Sequence, residues 1–276
     1  MTRDTDIDGE DTDRWLRCFR PEAETRTGAE RTVICFPHAG GAASYYFGLS
    51  ATPPAGTEVL VVQYPGRENR LFEEPLASVA SLADSVARVL RARRVNRPVL
   101  FGHSMGALVA FEVARRLEEA STASAPGPVP AALVVSACAA PSHHADRARL
   151  LHGIEEERDA DVLARVVGLG GTGRAVAENE ELVQLFLPAL RADLSAVRGY
   201  RAAADATVRC PITVCVADAD PDVPVAGAAL WGRHTSAGTS VHVFEGDHFY
   251  LGTWPRRLLD LLLPAVHPSC PEVVSA

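Results

Sequence analysis

The amino-acid sequence predicts an α/β fold, in which a mostly parallel sheet is flanked by helices on both faces. Two observations lead to this prediction. Short apolar runs typical of buried strands alternate with segments whose apolar residues recur at helical spacing. The alternation lapses over residues 141–204, where only helical patterns occur, and then returns. Because 276 residues suffice to bury the core of one such domain, we expect a single domain over residues 1–276 with a helical insertion at 141–204.

The predicted elements begin after an acidic, polar segment at residues 1–13, which we expect to be a disordered tail rather than a signal peptide. Runs of β-branched and other apolar residues, bounded by turn residues, predict the strands. These strands are expected at residues 32–36, 58–63, 99–101, 131–137, 211–217 and 240–244. Apolar residues spaced three and four apart predict the helices. Outside the insertion, helices are expected at residues 45–49, 79–90, 105–118, 225–233 and 249–263.

Composition excludes several classes of protein. No apolar run approaches the length of a membrane-spanning helix. A net charge of −8 argues against non-specific binding of nucleic acid. The six cysteines show no C-x-x-C spacing, which argues against zinc and thioredoxin-like sites. Cys35, Cys138 and Cys215 lie in strand-like runs and are expected to be core residues of a protein from the reducing cytoplasm.

The most informative segment is V-L-F-G-H-S-M-G-A at residues 99–107. An apolar run leads into G-x-S-x-G and a helical pattern follows, which is the arrangement of a nucleophile elbow. Gly102 and Gly106 leave room for the tight turn, and Ser104 lies at its apex. The backbone N–H of Met105 is expected to face a developing oxyanion. The alternative is a glycine-rich turn with a serine that has no catalytic role.

A serine nucleophile needs a base to accept its proton and a carboxylate to orient that base. In proteins with this kind of turn, the order along the chain is serine, then acid, then histidine. His248 is the histidine that directly follows the last predicted strand, so we assign it as the base. The acid is left open at this point. The candidates are Asp218, Asp220 and Asp222 in the loop after the strand at 211–217, with Asp193 and Asp247 as more remote alternatives.

A second oxyanion donor is expected in the loop after the strand at residues 32–36. That loop contains H-A-G-G at residues 38–41, and the backbone N–H of Ala39 is our candidate. His38 is expected to be structural rather than a second base. The glycine-rich segment at 168–173 lacks a Walker lysine and a preceding strand, which argues against a phosphate-binding loop.

Four ordered motifs resemble those of type II thioesterases, the stand-alone editing hydrolases of polyketide and nonribosomal peptide assembly lines. They are F-P-H-A-G-G at 36–41, Y-P-G-R-E at 64–68, G-H-S-M-G at 102–106 and G-D-H-F at 246–249. L-R-A-D at residues 190–193, followed by Tyr200, is similar as well. The resemblance runs from about residue 18 to about residue 262, which is nearly the whole chain.

The resemblance implies an α/β-hydrolase fold in which residues 141–204 form a helical lid. It implies a Ser104–Asp220–His248 triad, because the second aspartate of the family pattern falls on Asp220. The family has glycines before this loop, where the present chain has Val216 and Ala217. The implied activity is hydrolysis of acyl groups from the phosphopantetheine arm of carrier proteins.

The implied partners are acyl or peptidyl carrier domains of a polyketide or nonribosomal peptide synthase. We expect no cofactor and no metal, since the substrate itself carries the phosphopantetheine. We also expect the chain to be a monomer, with no nucleic acid and no membrane as a partner. Two clusters of basic residues are candidates for docking an acidic carrier, with solvated faces or internal ion pairs as the alternative. The clusters are Arg67 with Arg70, and Arg191 with Arg198 and Arg201.

Two other functions are compatible with the same motifs. A carboxylesterase or lipase of this fold would use the same serine mechanism on an oxygen ester. A hydrolase-like protein with a distorted triad would bind ligands without turning them over. The altered acid loop around Asp220 is the feature that would favour this second alternative.

Overall fold

The computed structural model describes residues 9–20, 29–148, 158–168, 179–203, 205–253 and 256–262. The strands are β1 (Leu16–Arg17), β2 (Arg31–Phe36), β3 (Thr57–Val62), β4 (Val99–His103), β5 (Ala132–Ser136), β6 (Ile212–Ala217) and β7 (Thr239–Phe244). The α-helices are α1 (Gly9–Trp15), α2 (Phe47–Ala51), α3 (Val79–Arg93), α4 (Met105–Ala120), α5 (Pro141–Ala148), α6 (Asp159–Gly168), α7 (Glu180–Gly199) and α8 (Arg256–Leu262). Short 3₁₀ segments lie at Ala43–Tyr46, Glu68–Arg70, Val225–His234 and Tyr250–Thr253.

The strands form one seven-stranded sheet in the order β1-β3-β2-β4-β5-β6-β7. β1 pairs with β3 in antiparallel fashion, and every other neighbouring pair is parallel. The predicted α/β class is therefore confirmed. Because the strands from β2 to β7 run in the same direction, the loops that follow them open at one edge of the sheet.

Alternate residues of the central strands bury two separate cores, as the two-residue period of a strand requires. On one face, Ile34 of β2 and Leu100 of β4 belong to the cluster that packs against α3 and α4. On the other face, Cys35 and Phe101 pack with residues of α2 and α8. Both faces are covered, which explains why these strands are continuously apolar in sequence.

The insertion between β5 and β6 contains α5, α6 and α7. No strand lies among the residues described between positions 141 and 203. Asn179 caps the start of α7 by accepting hydrogen bonds from two backbone amides of its first turn. Val162 of α6 packs with Leu187 and Leu190 of α7 in a small core of their own. The role of this insertion as a lid stays a prediction.

The structure differs from the predicted elements at four places. Residues 9–13, predicted as part of a disordered tail, belong to α1, because Trp15 at its end is buried beneath the guanidinium of Arg70. The helix expected at 225–233 is a 3₁₀ segment, and the one expected at 249–263 is a 3₁₀ turn followed by α8. β1 was not predicted, because two residues are too few to show a period.

The predictions for residues 1–8 and for the glycine-rich segment after Gly168 lie outside the described residues. Cys35 and Cys215 lie in β2 and β6 and are buried, whereas Cys138 is buried just after β5. Among the helices that the structure describes, none is both long enough and apolar enough to cross a membrane.

Candidate active site

Ser104 lies at the sharp turn between β4 and α4, with φ 55° and ψ −121°. A positive φ is strained for a residue with a side chain, and such strain is typical of functional turns. Glycines on both sides make the turn possible. A Cβ atom at Gly102 would overlap the carbonyl of Gly106, and a Cβ at Gly106 would overlap the carbonyl of Phe36 at the end of β2. The turn therefore has the form of a nucleophile elbow that packs directly against the loop after β2.

The three residues predicted to form the triad lie in one hydrogen-bonded line, which runs from Ser104 through His248 to Asp220. Ser104 Oγ is 3.0 Å from His248 Nε2. His248 Nδ1 is 2.8 Å from Asp220 Oδ2. Asp220 and His248 are 8% and 3% exposed, so solvent competes little with their hydrogen bond. The arrangement suits a serine that passes its proton to an imidazole held by a carboxylate.

The loop after β6 fixes the carboxylate of Asp220. Its second oxygen, Oδ1, accepts hydrogen bonds from the backbone N–H groups of Asp222 and Val223, at 2.8 and 3.2 Å. Burial alone would raise the pKa of Asp220, but the hydrogen bonds from His248 and these two amides hold the pKa below its ordinary value. Asp220 therefore stays a carboxylate that can orient His248.

The other aspartates considered as the acid have different partners. Asp218 Oδ1 accepts from the backbone N–H of Gly246 at 3.0 Å and so ties the loop after β6 to the loop after β7. Asp247 accepts from the N–H of Phe249. Asp193, on α7, is fully buried against Arg67. Within the described residues, Asp220 is the carboxylate that bonds to His248.

The turn at residues 38–41, which we call the oxyanion turn, lies beside Ser104 because Gly106 packs on the backbone that precedes it. Gly41 N–H donates to the carbonyl of His38 at 2.9 Å, and Gly40 has φ 73°. This is the pattern of a type II turn. Among the described residues, the N–H groups of Ala39 and Met105 form no hydrogen bond, which leaves both predicted donors available to an oxyanion.

A pair of buried histidines next to the triad was not anticipated as a unit. The rings of His38 and His103 lie 5.9 Å apart, and His103 is 5.3 Å from the ring of His248. His103 Nδ1 is 2.9 Å from Ser136 Oγ, which lies 2.6 Å from the hydroxyl of Tyr250. Their contacts depend on loops that are distant in sequence, so no local signal could have revealed them.

Both histidines are uncharged. Burial, followed by the nearby charges of His248 and Arg67, lowers the pKa of His38 to about 3. Burial also lowers the pKa of His103 well below its ordinary value, with His248 and His38 contributing further. Two uncharged rings therefore line the site beside His248 and add no positive charge to it.

Arg67 and Arg70, proposed above as one docking cluster, are instead buried. Arg67 is 7% exposed and forms two hydrogen bonds to Asp193, and Arg70 is 5% exposed and pairs with Glu73. The alternative of internal ion pairs is correct for this cluster. In the second cluster, Arg191 pairs with Asp159 at the surface of the insertion.

Comparison with known proteins assigns the site to a family. A family model described as a thioesterase domain matches residues 31–267, which include Ser104, Asp220 and His248. The chain belongs to the thioesterase family. The predicted resemblance is thereby confirmed at the level of the family, over most of the length that the motifs suggested.

Several relatives of this thioesterase are themselves thioesterases of biosynthetic pathways. It is 39% identical over 242 residues to the thioesterase PikA5 of Streptomyces venezuelae, an alignment that covers 87% of this chain and 81% of the relative. It superposes with a TM-score of 0.77 on BorB, the type II thioesterase from the borrelidin cluster, at 37% identity, covering 92% of this chain and 98% of BorB. RedJ, a thioesterase of the prodiginine pathway of Streptomyces coelicolor, gives a TM-score of 0.75 at 33% identity, covering 86% and 90% of the two chains.

Proposed function

We propose that this thioesterase hydrolyses acyl groups from the phosphopantetheine arm of carrier proteins, with Ser104 as the residue that is acylated. The observation that carries the proposal is the hydrogen-bonded line from Ser104 through His248 to Asp220. It lies beside two backbone N–H groups that no described residue engages. The motifs around it resemble those of type II thioesterases, and solved relatives include type II thioesterases of a biosynthetic cluster and of an NRPS/PKS pathway.

The geometry supports a two-step reaction. His248 Nε2 takes the proton of Ser104 as Oγ attacks the thioester carbonyl, and the N–H groups of Ala39 and Met105 stabilise the oxyanion. When the intermediate collapses, the C–S bond breaks and His248 returns the proton to the departing thiolate. A thiol has a pKa near 8.5, so its departure is easy. His248 then takes a proton from a water, which attacks the acyl-enzyme. The bond between the acyl carbon and Oγ breaks, His248 returns the proton to Ser104 Oγ, and the free acid leaves.

The proposal extends to the partner and the setting of the reaction. The partner is an acyl or peptidyl carrier domain that delivers the substrate to the edge of the sheet where the loops of the triad meet. We propose a monomer that acts in the cytoplasm. The five cysteines of the described residues lie outside disulfide bonds, as we expect of a protein in a reducing compartment.

The test compares matched substrates with one acyl group on different leaving groups. Initial rates are measured for a pantetheine thioester, the corresponding oxygen ester and a carrier protein loaded with the same acyl group. We expect preference for the thioesters, and in Ser104→Ala a loss of about 10⁴-fold or more in kcat/KM for each substrate. Undiminished turnover by Ser104→Ala would contradict the proposal.

Two other outcomes would favour the alternatives. A strong preference for the oxygen ester would identify a carboxylesterase. Failure of Ser104 to react with a fluorophosphonate, in a protein that still binds acyl-pantetheine, would identify a binding protein of the hydrolase fold. The short contacts of His248 with Ser104 and Asp220 predict that Ser104 reacts with the probe and that Ser104→Ala does not.

A further inference from the structure

The carboxylate of Asp193 joins the insertion to the oxyanion turn. Asp193 lies on α7 and is fully buried. One of its oxygens accepts from the backbone N–H of Gly40 at 2.7 Å and from Arg67 Nη1 at 2.7 Å. The other accepts from Arg67 Nη2 at 3.0 Å. A single side chain of the insertion therefore bonds to the backbone of the turn that holds Ala39.

The oxyanion turn depends on these bonds for its shape. In a type II turn, the N–H of the third residue lies on one particular side of the turn. Asp193 accepts a hydrogen bond from the N–H of Gly40. It therefore favours this orientation of the peptide group between Ala39 and Gly40 over the flipped orientation. Arg67 Nη1 also donates to the carbonyl of Gly41 at 3.0 Å. The ion pair thus holds the two residues that follow Ala39.

Helix α7 also covers the turn by packing. Ala39 contacts the small apolar core that α7 shares with α6. A Cβ atom placed on Gly40 would lie 2.5 Å from Phe186 and 3.2 Å from Leu190, both on α7. Glycine at this position is required by the positive φ and by the closeness of the helix. The turn and α7 therefore fit together as one packed unit.

Separating α7 from the turn would leave charges and a backbone donor without their partners. Arg67 is 7% exposed, so its guanidinium depends on Asp193 for charge compensation. Burial alone would lower the pKa of Arg67, but Asp193 raises it above its ordinary value. Gly40 N–H would lose its acceptor at the same time. Movement of α7 and reshaping of the turn are consequently coupled.

We propose that Asp193 is a positioning residue that couples the seating of α7 to the shape of the oxyanion turn. In this view, the tetrahedral intermediate is stabilised only while α7 lies on the turn. The inference rests on the proposed function, since it concerns the oxyanion formed on Ser104. It assigns to the insertion a part in catalysis besides that of covering the acyl chain.

The main test replaces the ion pair by apolar residues of similar size, Asp193→Leu with Arg67→Met, so that no buried charge is left unpaired. We expect kcat for a small pantetheine thioester to fall about 10- to 100-fold, less than the full effect of deleting an oxyanion donor, with KM changed less than threefold. Asp159→Asn is the matched control, because it neutralises a surface ion pair of the same insertion, with Arg191. It should retain the wild-type kcat.

Inhibitor binding separates positioning from a merely structural role. An acyl trifluoromethyl ketone forms an anionic tetrahedral adduct on a serine, whereas an unreactive acyl-pantetheine amide resembles the ground state. The double variant should lose affinity for the ketone by the same factor as kcat and keep its affinity for the amide. Equal losses for both inhibitors, or a kcat like that of Asp159→Asn, would contradict the proposal.

If circular dichroism shows that the double variant does not fold, Asp193→Glu is tested in its place. Asp193→Glu keeps the charge opposite Arg67 but moves the acceptor of Gly40 N–H by one methylene. We expect the same selective loss of ketone binding and kcat, and unchanged values would overturn the inference. A wild-type protein without thioesterase activity would instead contradict the proposed function and, with it, this inference.

Discussion

At the scale of single residues, the backbone around Asp220 decides which carboxylate serves the base. The sequence places three aspartates within five positions, so spacing cannot choose among them. The choice depends on the loop after β6, where the amides of Asp222 and Val223 bind one oxygen of Asp220 and leave the other for His248. In the sequence, only the resemblance to a family pattern favoured Asp220.

Substitution of the three aspartates tests this arrangement. Asp220→Asn should lower kcat about 10³- to 10⁴-fold, because an amide neither orients the imidazole in the required tautomer nor stabilises its protonated form. Asp222→Asn and Asp218→Asn are matched controls in the same loop and should retain kcat within about tenfold. Steady-state rates on a pantetheine thioester provide the measurement. A larger loss in Asp218→Asn or Asp222→Asn than in Asp220→Asn would assign the acid elsewhere.

Other residues of the site could not have been found from local sequence. Arg67 and Asp193 are 126 positions apart, and their ion pair exists only because the fold brings α7 beside the loop after β3. For the same reason, the sequence leaves open whether Arg67 docks a partner or forms an internal ion pair. Ser104 and His248 were predictable because each follows a strand in a characteristic local motif.

At the scale of elements, the packing of the β4–α4 turn against β2 sets the position of the nucleophile. Gly106 lies in the first turn of α4, and a Cβ atom placed on it would overlap the carbonyl groups of Phe36 and Pro37. This close approach brings the elbow and the oxyanion turn together, and no side chain fits between them. A change at Gly106 should therefore affect both folding and activity.

Gly106→Ala should reduce the free energy of unfolding by about 3 kcal/mol or more, since overpacking against backbone costs at least as much as overpacking a side-chain core. Gly199→Ala is the matched control: Gly199 is the last residue of α7, and a Cβ there has no atom within 4 Å. Urea unfolding followed by circular dichroism gives both values. Equal stability of the two variants would contradict the close approach seen at Gly106.

The regular elements were largely predictable because the central strands are buried on both faces and the long helices are amphipathic. Val79–Arg93 and Met105–Ala120 each extend the predicted helix by two or three residues. The elements that differed are short or irregular, such as β1 and the 3₁₀ segment Val225–His234. Tertiary contacts decide these, as Trp15 does for α1, and such contacts leave no periodic pattern in the sequence.

At the scale of the whole molecule, the buried histidines make stability depend on pH. The pKa of His38 is lowered to about 3, and that of His103 lies well below its ordinary value. In the unfolded chain both groups titrate near 6.5. Below that pH the unfolded state binds protons that the folded state does not bind, so acid favours unfolding. At higher pH both states are unprotonated at these groups, and the effect vanishes.

The free energy of unfolding should therefore fall as the pH is lowered from about 6.5 to 5, by up to about 1.4 kcal/mol per pH unit for each of the two histidines. Carboxylates such as Glu73, whose pKa is lowered to about 2 chiefly by its hydrogen bond with Arg70, contribute mainly at more acidic pH. His103→Gln should flatten the slope of the free energy of unfolding against pH, since it removes one of these two buried groups. An unchanged slope in His103→Gln would show that His103 is charged in the folded protein.

The central claim is that Ser104 removes the acyl group of a carrier-bound thioester. The most direct measurement is mass spectrometry of acid-quenched mixtures of the enzyme and an acyl-loaded carrier protein, in which the masses of both proteins are followed over time. With wild-type enzyme, the carrier should return to its free-thiol mass as free acid is released, and any acyl group found on the enzyme should lie on the peptide that contains Ser104. With Ser104→Ala, the carrier should keep its acyl group. Deacylation of the carrier by Ser104→Ala at the wild-type rate would contradict the claim.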